Sequence, residues 1–414
     1  MSEVGIATAI DLFAGCGGLS AGLLDAGIQV VAGFDHDKPS ITAFNYNHVY
    51  RGCVGYAVDL AVAEGAELLQ LAGVSGGVDL VVGGPPCQPF SIAGKQRGLD
   101  DKRGNLIYRF VDLVRDIRPT SFLFENVPNL ARMDGGAHVA RLRTEFEQLG
   151  YEVFSNIVLA ADYGVPQARR RFVMVGVPAG QGFSFPDPTH GESDDLFAQL
   201  KPFVSVREAI GDLPDVGDSR AEAIPNHEPT MHSAKMLEAF RTLKPGTRDK
   251  KSFHDRLHAD RLSYTLRAGS GNFSPLRPVH YEYDRVISVR ESARIQSFGD
   301  EFIWPDPLPR LQQYRQVGNA VPPRMAAAIG AKVAAALGLT VSEEVTRGDA
   351  SSRPPAFTTT HEERHLARVA RTRGASLGSV VSAGSVVSAG SVASAGSVVS
   401  AGSVASAGSV DVAT

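Results

Sequence analysis

Residues 8–22 read TAIDLFAGCGGLSAG, an apolar run from Thr8 to Phe13 that breaks into a turn carrying Gly15, Gly17 and Gly18 and resumes as a helical pattern. Glycines at such a strand-to-helix turn let the backbone approach a ligand closely, and the helix start offers unpaired N–H groups beside it. About twenty residues on, Asp35 ends a second predicted strand, Gln29 to Phe34, where its carboxylate can accept hydrogen bonds from ribose hydroxyls. Working outward, the β-rich runs Asp79 to Val82, Ser121 to Phe124, Val153 to Leu159 and Arg171 to Val177 alternate with helical patterns. This predicts a doubly wound α/β sheet over residues 1–180, completed by 312–340 through a returning helix near 322–337. A glycine-rich turn alone is weak evidence, because a dehydrogenase shows something similar.

GGPPCQPFS, residues 83–91, sets Cys87 among Pro85, Pro86 and Pro89, just beyond the apolar run Val78 to Val82. A thiol on a proline-stiffened loop loses little entropy on ordering, as a nucleophile with a fixed aim requires. The plainer reading is a buried free cysteine. Phe122-Leu123-Phe124 leads into Glu125, a carboxylate at the C-terminal end of the next strand, where α/β sites assemble. In QARRR (167–171), Arg169 and Arg171 share one face of a predicted strand, because side chains alternate with period two. For a lone Glu or Arg a surface ion pair is the ordinary explanation. Nucleophile, acid and cations all fall at strand ends, and that convergence outweighs it.

The 414 residues, 43% hydrophobic and 21% charged, suffice for a large core and about two or three domains. No stretch reaches the roughly 18–20 apolar residues of a membrane span, and the N-terminus lacks the basic start of a secretory signal, so a cytoplasmic protein is expected. Cys16, Cys53 and Cys87 lack metal-ligand spacing, so neither a disulfide framework nor a metal is expected. A net charge of −4 gives no overall footprint for nucleic acid. Residues 181–311, rich in proline and histidine and weak in periodicity, are expected to form a smaller irregular domain and hinge. Between Thr230 and Arg294, 13 Lys or Arg stand against 7 Asp or Glu, a candidate phosphate-binding surface. Residues 341–377 read as a polar linker. From Gly378 the hexapeptide GSVVSA or GSVASA recurs, and 378–414 reads as a flexible low-complexity tail. His361 to His365, HEERH, matches a zinc-protease pattern, but no third ligand attends it and coincidence is the better account.

In order, these segments resemble the motifs of the bacterial DNA cytosine-5 methyltransferase family. DLFAGCGGLSAG (11–22) resembles its cofactor motif, GGPPCQPFS its nucleophile loop, ENV (125–127) its acid motif and QARRR its paired-arginine motif. RESARIQSF (290–298) resembles the motif that braces the target-recognition domain, and QVGNAV (316–321) the closing cofactor motif. The resemblance spans about residues 8–335. It implies a Rossmann-like, S-adenosylmethionine-dependent methyltransferase domain with a smaller irregular target-recognition domain, and methyl transfer to carbon 5 of a flipped cytosine in a short duplex sequence. Cys87 would add to carbon 6, Glu125 would serve ring nitrogen 3, Arg171 would contact the base carbonyl, and Arg169 would assist nearby. Phe13, Gly15 and Gly17 would lie at the methionine side of the cofactor, Asp35 at the ribose, Asp59 at the adenine amine, and Pro85, Leu106 and Asn319 along the pocket wall. The family often has Glu where Asp35 stands and a bulky aromatic where His36 stands, a pair that keeps an acceptor and a flat ring. It usually has Phe-Pro where this chain has Phe298-Gly299. Implied partners are double-stranded DNA and a cognate restriction endonuclease acting on the same site, unless the enzyme serves orphan host methylation; a monomer and no membrane are expected. RNA-directed relatives have Cys-Phe-Thr where this chain has Cys87-Gln88-Pro89. A DNA-binding regulator that had lost catalysis would need none of Cys87, Glu125 and Arg171.

Overall fold

Short, continuously apolar strands demand cover on both faces. The computed structural model, which describes residues 6–86, 106–192, 200–269, 274–306 and 308–347, supplies it. Strands β1 (Thr8–Leu12), β2 (Gln29–Asp35), β3 (Val54–Ala57), β4 (Leu80–Gly83), β5 (Ser121–Asn126), β6 (Tyr151–Leu159) and β7 (Arg170–Pro178) form one sheet in the order β3-β2-β1-β4-β5-β7-β6. Pairing is parallel from β3 through β5, and β7 enters antiparallel between β5 and β6. Strand order reverses between β1 and β4, and at such a reversal the loops diverge to leave a crevice.

Helices α1 (Gly18–Asp25), α2 (Lys38–His48), α3 (Gly65–Leu71), α4 (Leu106–Ile117) and α5 (Ala137–Gln148) follow the strands. Further on come α6 (Val206–Ile210), α7 (Ala234–Thr242), α8 (Val289–Ile295), α9 (Arg310–Asn319), α10 (Pro323–Ala336) and α11 (Glu343–Arg347). Alternation along the strands sorts their side chains: Leu80, Val82 and Leu123 share a core with α1 and α10, while Val81, Phe122 and Phe124 share the other with α3, α4 and α5. Full burial of one such residue, Phe110 of α4, contributes about 1.5–3 kcal/mol. The predicted return of a C-terminal helix is seen in α10, which packs on α1.

Between β7 and α9 regular structure is sparse, and the two-residue strands β8 (Asp255–Arg256) and β9 (Pro278–Val279) pair in parallel. Helix α8 starts with a capping box in which Ser288 and Glu291 satisfy each other's backbone N–H groups. The single tryptophan, Trp304, is buried against Phe298 and Phe302. Their apolar cluster runs from Val206 to Val317 and also takes in Cys16 and Ala43, so the two regions share a core. All described residues fall in one compact unit.

Three sequence expectations need correction. Strand β3 went unread. The positive excess between Thr230 and Arg294 is largely consumed internally: Arg285 grips Glu291 with two 2.8 Å bonds, Arg256 pairs with Asp284, Arg294 with Asp212 and Asp300, and Arg248 and Arg277 with Asp255. The stretch read as polar linker from 341 begins with docked structure, since Ser342 N donates to Gly27 O at 2.9 Å and Val345 of α11 is buried. The 378–414 repeat and the HEERH segment lie outside the described residues. Among the described residues no helix is long and apolar enough to cross a membrane.

Candidate active site

A cavity of about 540 Å³ opens at the reversal of strand order, lined from the ends of β1, β2, β4 and β5, from the start of β7 and from α9. Its first half is built by the glycine turn. Gly17 caps α1 at φ 91°, and a Cβ there would lie 2.2 Å from His48 Nε2. His48, packed between Phe44 and Phe302, donates from Nε2 to the Gly17 carbonyl at 3.1 Å. Burial, with Arg51 nearby, pushes its pKa down to about 3, so the ring stays neutral. Gly15 N donates to Asp35 Oδ2 and Asp37 N to Oδ1, each at 2.9 Å, fixing the carboxylate against the cavity.

Of the residues expected around a cofactor, Phe13, Gly15, Asp35, His36, Pro85 and Asn319 line this cavity. Gly17 stands behind the wall. Asp59 is not on the wall either: it is exposed after β3, its Oδ1 accepting from Ala61 N at 3.0 Å. Leu106 begins α4 and is also off the wall. Sequence reading passed over Asp11 and Gln316. Asp11 is 1% exposed; its Oδ2 accepts from the Ser20 hydroxyl at 2.6 Å, while among the described residues its Oδ1 has no hydrogen-bond partner. Burial raises its pKa to about 7. The side-chain amide of Gln316 is likewise buried and, among the described residues, without a hydrogen-bond partner, and both residues line the cavity. Both lie inside the quoted cofactor motifs, 11–22 and 316–321, where neither was given a role of its own. Cys16 also lines the wall, but burial pushes its thiol up to about 12, the opposite of nucleophile activation.

The second half gathers the charged groups. Glu125, at the end of β5, holds Arg171 Nε at 2.6 Å from its Oε1. A Cβ on Gly84 would sit 2.9 Å from Glu125 Oε2, so glycine there admits the carboxylate to the loop. Burial raises the Glu125 pKa, while first Arg171 and then Arg169 pull it back. Asn126 Nδ2 donates to Pro85 O at 2.9 Å, anchoring the chain two residues before Cys87. Cys87 itself lies outside the described residues. Strand β7 starts at Arg170, one residue later than a shared strand face for both arginines requires, yet both reach the cavity. Their uses differ. Arg171 faces Glu125, whereas the fully buried Arg169 donates to three carbonyls, Leu266 and Gly318 at 3.0 Å and Ala320 at 3.1 Å. Arg169 thereby ties β7 to the end of α9 and to the 263–269 segment. Among the described residues no cluster of three or more His, Cys, Asp or Glu converges as metal ligands would.

Such an arrangement joins an acceptor-rich, glycine-walled chamber to a buried acid with a paired guanidinium. The family model of C-5 cytosine-specific DNA methylases matches residues 7–335. The type II methyltransferase M1.HphI of Haemophilus parahaemolyticus is 34% identical over 342 residues, spanning 79% of this chain and 86% of its own. M.MthTI of Methanothermobacter thermautotrophicus is 32% identical over 348 residues, 78% of this chain and 95% of its own. Among solved structures, a DNA modification methyltransferase encoded in an E. coli prophage aligns with a TM-score of 0.66 at 26% identity, covering 80% of this chain and 99% of that one. The Dnmt2 methyltransferase of S. pombe shares the fold, with a TM-score of 0.58 at 16% identity over 80% of this chain and 100% of its own.

Proposed function

This chain belongs to the C-5 cytosine-specific DNA methylase family and is a DNA cytosine-5 methyltransferase, and from that premise we propose how its cavity divides the work. The glycine-walled half takes S-adenosylmethionine, which supplies an electrophilic methyl group. The donor set fits: the Asp35 carboxylate suits a ribose diol, and the unpartnered Asp11 Oδ1 suits the ammonium of the methionine end. Phe13, Gly15 and Gly17 flank that end, with His36, Pro85 and Asn319 along the wall. For Asp59 at the adenine amine and Leu106 at the pocket wall the assignment rests on the family resemblance alone.

The Glu125 half takes a cytosine flipped out of the duplex. Carbon 5 of cytosine is a poor nucleophile. The Cys87 thiolate forms a bond to carbon 6, and the electron pair released through the ring makes carbon 5 nucleophilic as Glu125 delivers a proton to ring nitrogen 3. Carbon 5 would bond the methyl group as the methyl–sulfonium bond breaks, its electron pair staying on the sulfur of the departing S-adenosylhomocysteine. A base then removes the carbon-5 proton, the carbon 6–sulfur bond breaks, the ring regains its double bond, and Glu125 recovers the nitrogen-3 proton. Arg171 orients the carbonyl edge, and Arg169 braces the wall behind it. Residues 181–311 serve as the target-recognition region. A companion endonuclease would place this protein in a restriction-modification pair.

The observation that carries this reading is the Glu125–Arg171 pair, buried in the same cavity as the Gly15–Asp35 turn. A buried acid whose pKa burial has raised holds a proton more readily than an exposed carboxylate does. Expression in a host free of cytosine methylation, followed by bisulfite mapping, should reveal 5-methylcytosine at one short motif. Cys87→Ser should erase it. Wild-type methylation by Cys87→Ser would rule out the covalent route, and soluble wild-type protein that leaves DNA unmodified would direct the search to RNA.

A further inference from the structure

Between Arg248 and Asp255, which bridge in antiparallel register, the chain makes a tight turn beside β8 and β9. Asp249 organises it. Its carboxylate accepts from Ser252 N at 2.7 Å and from the Ser252 hydroxyl, while its backbone bonds His254 O and Phe253 N, both at 2.9 Å. The turn holds Phe253 at φ +60°, a left-handed conformation uncommon for a large side chain. Arg277 braces it, with Nε donating to the Phe253 carbonyl at 2.8 Å and the guanidinium carbon 5.9 Å from the ring centroid. Yet the residue so carefully held is 50% exposed. The core gains little from fixing a ring that faces solvent, whereas a ligand that must be read gains from a rigid apolar probe.

Charge supplies the second observation. Lys250 and Lys251, on the same turn, are exposed and, among the described residues, in no ion pair, unlike Arg248 and Arg277, which share Asp255. The turn is also tied to the cavity. The Tyr264 hydroxyl donates to Gly246 O at 2.8 Å, and two residues further along Leu266 O accepts from Arg169. The Arg267 backbone lies where a Cβ on Gly318 would meet it at 2.5 Å. Arg261 and Arg267, exposed and without ion-pair partners among the described residues, add cations along this strip.

We infer that the Arg248–Asp255 turn reads the DNA target: Phe253 presses on an apolar base edge in a groove, while Lys250 and Lys251 hold the flanking phosphates. The inference rests on the proposed DNA-methylating function and names residues that specify its sequence. Phosphate contacts carry salt dependence without sequence, and base contacts carry sequence without salt dependence, so the two roles separate cleanly.

The test uses full-length protein and a duplex bearing the motif mapped for the wild type, compared with the same duplex carrying one changed base pair. DNA binding and kcat/KM are measured at roughly 50 and 200 mM salt. Phe253→Ala should lower the preference for the cognate duplex about tenfold or more with the salt slope unchanged. Lys250→Ala and Lys251→Ala should each lower that slope by about one with the preference intact. Phe253→Gly relieves the left-handed backbone, so it should melt at or above the wild-type temperature and still lose the preference. S-adenosylhomocysteine binding by calorimetry should be unchanged in all four. Wild-type preference in both Phe253 variants, or a wild-type slope in both lysine variants, would overturn the assignment. A wild type that methylates no DNA would overturn the proposed function and this inference with it.

Discussion

Asp11 shows how one residue can set a pH dependence for the whole cavity. Burial raises its pKa from 3.8 to about 7, so between those values the folded chain keeps a proton that the unfolded chain releases. The unfolded state therefore binds fewer protons, and stability falls as pH rises from about 4 to about 7. Asp11→Asn keeps an acceptor for the Ser20 hydroxyl and removes that slope. Without ligand, the variant should melt several degrees above wild type at pH 8, by less at pH 5 and alongside it only near pH 4; scanning fluorimetry across that range gives the answer, and parallel melting curves would refute it. Glu125 and the arginines were legible in the sequence because a charged residue at the end of an apolar run has few structural excuses. Asp11 was hidden by the same rule, since it lies inside such a run and its significance appears only with the missing partner of Oδ1. The three carbonyls that occupy Arg169 come from residues 97 to 151 positions away, a distance no local pattern reports.

At the scale of elements, the strands buried on both faces were the readable ones, because continuous apolar runs leave few alternatives. Strand β3 escaped, being four residues long with a glycine among them and half exposed at the sheet edge. The antiparallel insertion of β7 was equally invisible, because an apolar run carries no direction. Helix α11 was masked by composition: Glu343 and Glu344 made its surroundings look like linker, while Val345 supplies the contact that docks it. Arg51 Nε donates to Val345 O at 3.3 Å, adding a polar tie. Losing α11 would forfeit the burial of that valine, about 1.5–3 kcal/mol. A chain ended at residue 341 should thus melt several degrees below one ended at 377, and the longer form should methylate DNA like the full chain. Equal melting temperatures for the two truncations would show that α11 contributes no stability.

For the whole molecule, the sequence suggested two domains, and the apolar cluster that joins Cys16 and Ala43 to residues from Val206 to Val317 argues for shared stability. The described region should therefore unfold in one cooperative calorimetric transition, with agreement between calorimetric and van't Hoff enthalpies; a separate low-temperature transition for residues 181–311 would contradict this. Charge was misread at this scale for a related reason. Local counting saw an excess of cations, whereas some of their acids stand outside the counted stretch, as Asp215 does for Arg285 and Asp212 for Arg294.

That common cluster also governs how new specificities can be made. Leu257 and Leu266, within the region proposed to read DNA, belong to the same apolar body as Cys16 of the glycine turn. A recognition segment transplanted from a relative would arrive with leucines, or their substitutes, cut to a different host. Chimeras of this enzyme thus need their donor segment refitted against residues 16 and 43, and a graft that ignores them would exchange specificity and damage the methyl-donor chamber in one stroke.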